Sequence, residues 1–199
     1  VIRLAREELD TRDHGRERLI AGSRDAVRLT KQAITSTHLR QLVKAQQLVA
    51  KSQRQLQKLK EVSRDHPDLY YGGIMAAAQQ EVAEAAVLLS LVKGEGYPEI
   101  DVELIPYAAY VQGLSDTAGE LRRECLDALR GRHLDIAEEL FEKMEEIHQG
   151  LGTLSYLSGL LPGFRHKCDV VRRLVEETRG DLTHASLVLN VTGRGKRRK

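Results

Sequence analysis

The chain has 199 residues, 41% hydrophobic and 30% charged, with no Trp, four Pro and a net charge of +2. Such a length buries a sizeable core in one domain or at most two, and the profile favours helices over sheets. No run approaches the roughly 18 uninterrupted apolar residues of a membrane span and the N-terminal residues lack the layout of a signal peptide, so no membrane partner is expected. Cys125 and Cys168 are the only cysteines and have no metal-ligand spacing. They read as buried apolar residues in a reducing, cytoplasmic protein.

The small net charge conceals an asymmetry. Residues 1–64 carry 15 Lys or Arg against 7 Asp or Glu, residues 65–121 carry 1 against 10, and the remainder carries 15 against 12. A basic segment beside an acidic one brings a polyanion to a cation-binding site. Two complementary faces that pair with each other, or with another subunit, account for the charge equally well.

In chain order, Ile20, Val27 and Ile34 repeat every seven residues, and Leu42, Val49 and Leu56 resume the stripe after a one-residue slip, a pattern of one or two long helices. From residue 40 onward Arg40, Lys44, Lys51, Arg54 and Lys58 fall within about 40° of one direction on a helical wheel. Without aromatics among them they read first as a solvated face and second as a nucleic-acid groove. Arg24 and Lys31 lie instead on the flank of the apolar seam, where a cation requires an acid partner or a phosphate.

Asp65, His66 and Pro67 break this region. A helix rich in small residues is predicted from Ile74 to Val92, ended by Gly94 and Gly96. A short helix from about Pro98 to Val111 follows, then a break at Gly113, and a helix from about Leu114 to Leu129. An amphipathic helix from Asp135 to Gln149 precedes a Gly- and Pro-rich stretch, Gly150 to Gly163, and a last helix reaches about Leu189. The expected organisation is an all-α domain over 1–190, a long antiparallel bundle of about seven helices, with a basic mobile tail over 191–199. No repeat of 20 to 50 residues is visible.

The chemistry sits in the acidic middle. Between Arg64 and Arg122 the only cation is Lys93, yet Glu81, Glu84, Asp116 and Glu120 occupy stretches otherwise built of Ala, Leu, Val, Gly and Ser. Burying a carboxylate on an apolar helix face costs several kcal/mol unless its pKa rises, a distant cation meets it, or a metal ion binds. Residues three or four apart share a helix face about 5 to 6 Å apart, which pairs Glu81 with Glu84 and Asp116 with Glu120. If the two helices pack together, four carboxylates converge, and oxygen-only donors select Mg²⁺ or Mn²⁺.

Three segments carry a family resemblance: Glu8-Leu9-Asp10 through Glu17-Arg18-Leu19-Ile20 and Ser23-Arg24-Asp25; Gln80-Glu81-Val82-Ala83-Glu84-Ala85; and Gly113-Leu114-Ser115-Asp116-Thr117-Ala118-Gly119-Glu120-Leu121-Arg122. Together they resemble the translin superfamily, and within it the branch of translin-associated factor X (Trax), over most of the chain. The resemblance implies a translin-like all-α fold of about seven helices. It also implies a shell-like homo-oligomer, octameric in the family, formed alone or with a translin-like partner subunit. Single-stranded RNA or DNA is the implied ligand, and Mg²⁺-dependent endoribonuclease activity, with Mn²⁺ as a substitute, is the implied chemistry. The family's catalytic and metal-binding carboxylates fall on Glu81, Glu84, Asp116 and Glu120, a set that non-catalytic translin lacks. Arg24 and Lys31 match the family's RNA path, whereas Arg40, Lys44 and Lys51 are assigned to it from the basic stripe alone.

Other readings have weaker support. A lone Glu-x-x-Glu arises readily by chance in a helical chain with 29 acids. Glu145-x-x-His148 and Asp181-x-x-His184 resemble half of a di-iron bundle site, but Asp replaces one Glu. An all-α nucleoside triphosphate pyrophosphohydrolase usually spaces both carboxylate pairs at i, i+3, against the 116 to 120 spacing. A translin-like protein that binds single strands and cuts nothing is the remaining alternative.

Overall fold

Residues 2–38 contain no Pro, and they form one helix, α1 (Ile2–His38). The structure, a computed structural model, describes residues 1–154 and 160–196, with side chains through Val188. After α1 come α2 (Leu42–Val62), α3 (Pro67–Tyr70), α4 (Gly73–Val92), α5 (Tyr107–Arg130), α6 (Leu134–Gly152) and α7 (Phe164–Lys196). The described residues contain seven helices and no strand, the all-α fold expected from composition and pattern. α7 extends past Leu189, so Arg194 and Lys196 of the expected tail lie on its backbone, while residues 197–199 lie outside the described residues.

Left-handed residues set several helix ends. Arg40 has φ 56° and Arg132 φ 63°, positions where glycine is the usual choice, and Gly94 has φ 74°. At each, the next amide reaches back to close the last turn: Gln41 N–H to Ser36 O, His133 N–H to Ala128 O and Glu95 N–H to Ser90 O, at 2.9, 2.9 and 3.0 Å. Arg40 therefore sits in the turn between α1 and α2, off the helical stripe to which its spacing assigned it.

The chain divides into two compact units, Val1–Gly113 and Leu114–Lys199. In the first, α1 packs against both α2 and α4. Its buried residues are Leu19, Gly22, Ala26, Thr30, Ala33, Ser36 and Thr37, and Leu19, Ala26 and Ala33 lie one position before the predicted Ile20, Val27 and Ile34. Packed against two helices at once, α1 centres its small residues, and Val27 and Ile34 flank the core. A Cβ on Gly22 would overlap Leu59 of α2. On α2, Val49 and Leu56 are buried as predicted.

α4 is long and apolar enough for a membrane span on composition alone, but 67% of that window is buried within the chain, as expected of a core helix. Tyr70, 1% exposed, donates its hydroxyl to Leu104 O at 2.8 Å and fixes the segment between α4 and α5. Burial pushes its phenol up to about 12.

Residue 113 does not end a helix. α5 runs through it, and the predicted helix over 98–111 is a loop until Tyr107. A Cβ on Gly113 would lie 2.5 Å from Gln80 O, 2.9 Å from Ala83 Cβ and 3.0 Å from Glu84 N of α4. Glycine is thus required for backbone approach, and its weak helix propensity is outweighed by packing.

In the second unit α6 and α7 pack together. Met144, Ile147, Leu151, Phe164, Val171 and Val175 are buried there. Arg122 on α5 donates to Thr178 Oγ1 at 2.6 Å and lies 3.1 Å from Asp181 Oδ2, while Arg179 donates to Glu145 Oε1 at 2.7 Å.

Two glycines separate helix propensity from packing. Gly113→Ala should destabilise the protein by about 1–3 kcal/mol through overpacking against α4. Gly180→Ala on α7, where a Cβ meets nothing within 4 Å, should stabilise it by about 0.5–1 kcal/mol. Urea unfolding of both variants checks the pair; a Gly113→Ala protein as stable as wild type contradicts the close approach.

Candidate metal and nucleic-acid site

Glu81 and Glu84 lie on α4, and Asp116 and Glu120 on α5. Glu84 is only 9% exposed and is flanked by the buried Val82, Ala83 and Ala85, whereas Glu81 is half-buried. The Glu84 amide is one of the atoms against which Gly113 rests. Glu84 therefore occupies a rigid, largely dry position on a helix whose residues are otherwise chosen for close packing.

Asp116 follows another of the expected remedies, a distant cation. The Lys167 ammonium, near the start of α7, donates to both of its carboxylate oxygens at 2.8 and 2.7 Å. The two side chains are 25% and 32% exposed, which partly shields the pair from solvent. Among the described residues, no three His, Cys, Asp or Glu side chains are gathered closely enough to hold a metal ion.

A second feature of the first unit is a cleft of about 770 Å³. Ser23, Arg24, Arg28, Lys31, Gln32 and Thr35 of α1 form one wall, and Lys44 of α2 adds a further cation. Ile74, Ala77 and Ala78 of α4 line it as well. Three predicted nucleic-acid residues, Arg24, Lys31 and Lys44, thus share one cavity, and all three are exposed. Arg40 in its turn and Lys51 on α2 do not line it.

The cleft and the first carboxylate pair share a helix. Glu81 lies four residues after Ala77 and Glu84 six after Ala78, and the first interval is one helical turn on one face. Glu81 and Glu84 themselves do not line the cleft.

Two elements escaped the sequence reading. Arg28, four residues after Arg24 and three before Lys31 on the same stripe of α1, is not among the cations that the sequence assigns to nucleic acid. Lys167 was missed because its partner is 51 residues away. Its signal was local: Arg165, His166 and Lys167 open a helix at the end where cations oppose the dipole and normally need an anion.

The histidine motifs are committed elsewhere. Glu145 is bonded to Arg179 and Asp181 contacts Arg122, and among the described residues neither belongs to a group of three metal-binding side chains. Cys125 is buried and Cys168 half-buried. Burial pushes the Cys125 thiol up to about 11, so it stays protonated at neutral pH.

No family model matches the chain. It is 32% identical over 111 residues to an uncharacterized protein of Methanocaldococcus jannaschii, a match covering 55% of this chain and about half the length of that relative. Among solved structures, the crystal structure of AfC3PO is 31% identical, with a TM-score of 0.88 over 94% of this chain and 97% of that one. The structure of AfC3PO in complex with duplex RNA matches at 30% identity with the same TM-score and coverage. Apo-NeC3PO, at 18% identity and a TM-score of 0.80 over 92% of this chain and 96% of that one, shares the fold.

Proposed function

This chain belongs to the translin family of C3PO proteins, and we propose that within it the chain is a Mg²⁺-dependent endoribonuclease of the Trax-like branch. It acts on single-stranded RNA, and also binds single-stranded DNA, inside a shell-like oligomer of its own copies, with or without a translin-like partner. The observation that carries this reading is the sharing of α4 between a cationic cleft and the pair Glu81 and Glu84.

RNA as the ligand class is supported by the complex of AfC3PO with duplex RNA. A single strand is favoured by the cleft itself, where cations adjoin apolar Val27, Ile74, Ala77 and Ala78. An apolar floor suits unpaired bases, whereas a duplex presents mainly phosphate, ribose and groove edges.

The donor chemistry suits a hard divalent ion, since all four residues are carboxylates and Asp116 already grips a cation with both oxygens. Glu81, Glu84, Asp116 and Glu120 would hold Mg²⁺, with Mn²⁺ as its substitute. Asp116 and Glu120 follow Gly113 by three and seven residues on α5, the spacing of one helix face. When bound, the ion supplies neutralisation of phosphoryl charge and an acidified water. Arg24, Arg28, Lys31 and Lys44 bind and align the phosphates. Glu84 or Glu120 orients the attacking water, and Gly113 keeps α5 against the backbone that positions Glu84.

The test is cleavage of a labelled single-stranded RNA, with a duplex for comparison, by the purified oligomer in Mg²⁺ or chelator. Glu81→Gln and Asp116→Asn should each lose about 10²-fold or more of the activity while still binding RNA. Wild-type protein that binds RNA but cuts none with any divalent ion is instead a translin-like binder, and the catalytic reading fails.

The cleft makes a separate prediction. Arg24→Ala and Lys44→Ala should weaken RNA binding across sequences and each lower the salt slope of log K by about one. Binding titrations at several salt concentrations read this directly, and unchanged slopes would place the RNA elsewhere.

A further inference from the structure

We propose that Lys167 is the resident counter-ion of Asp116, which a divalent ion must displace, so that this lysine sets the metal concentration at which the carboxylate site loads. The proposal rests on the metal-site reading above and assigns Lys167 as a positioning residue.

Lys167 holds Asp116 through two short charge-assisted hydrogen bonds, 2.8 and 2.7 Å, the stronger class of such contacts. It reaches across from α7 to α5 within one compact unit. Two features make the pairing reciprocal. The α5 segment carrying Asp116 holds no cation before Arg122, so a distant residue has to supply the charge. Lys167 lies in the first turns of α7, the positive end of that helix dipole, where an ammonium is disfavoured unless an anion meets it. Asp116 is that anion.

An ammonium gripped by both oxygens of a carboxylate occupies the positions a divalent ion would use. Lys167 thus neutralises and orients Asp116 before the ion arrives, and competes with it afterwards. A lysine suits this role better than an arginine: its compact charge on a flexible stem leaves a carboxylate more readily than a planar bidentate fork. Displaced, it stays tethered beside the carboxylates, while the RNA phosphate becomes the available anion.

The experiment is Mn²⁺ binding to the full-length oligomer without RNA, followed by the electron paramagnetic resonance of free Mn²⁺ and by calorimetry. Lys167→Gln should bind Mn²⁺ about fivefold more tightly than wild type, the scale of a lost competing ion pair, and Lys167→Arg should bind it no more tightly than wild type. The gain should vanish in an Asp116→Asn background. Without divalent ion, Lys167→Gln should melt at a lower temperature than wild type, and Mn²⁺ should restore it. Lys167→Met, which keeps the aliphatic stem, makes the same comparison if Gln loosens the fold. Wild-type and Lys167→Gln proteins with equal Mn²⁺ affinity, where Glu81→Gln abolishes binding, overturn the proposal and leave the metal site standing. Absence of Mn²⁺ binding to every form overturns both.

Discussion

The approach of α5 to α4 at Gly113 is the constraint on which the candidate site depends. With no side chain at 113, the α5 backbone lies directly on Gln80, Ala83 and Glu84. Glu84 is then 9% exposed within an otherwise apolar stretch. Placing a carboxylate there is expensive and gives no packing advantage over Leu or Ala. A carboxylate in such a position is held only where its charge is met, by protein groups or by an ion.

Around that contact the first unit combines two opposite demands. α1 uses Gly22, Ala26, Thr30 and Ala33 to pack closely against two neighbours, while its adjacent face presents Arg24, Arg28 and Lys31 to the cleft. Thr30 and Thr37 are buried without penalty because their hydroxyls donate to the helix's own carbonyls, Val27 O and Ala33 O. One helix therefore serves as core on one side and as a cationic cleft wall on the other. In the second unit, Lys167 and Arg122 perform related tasks, each supplying charge to an acid or hydroxyl on a different helix.

The helices were legible because Pro is scarce and the periodicity long. The placement of α4 was correct within one residue because Gly94 and its neighbours stop it. Gly113 misled the reading because sequence alone does not distinguish a glycine that ends a helix from one that admits a neighbour. Arg40 and Arg132 occupy left-handed positions that composition would assign to glycine. At the site, the burial of Glu84 followed from its apolar flanks, and Arg24 and Lys31 were singled out as cations on a seam. Lys167 was not, since no local pattern connects residues 51 apart in sequence.

Locating Mn²⁺ by anomalous diffraction in crystals of the wild-type oligomer tests the central claim most directly. The expected result is an ion within about 2.6 Å of carboxylate oxygens from Glu81, Glu84, Asp116 or Glu120, with Lys167 turned away from Asp116. Mn²⁺ bound only elsewhere, with Lys167 still on both oxygens of Asp116, would contradict it.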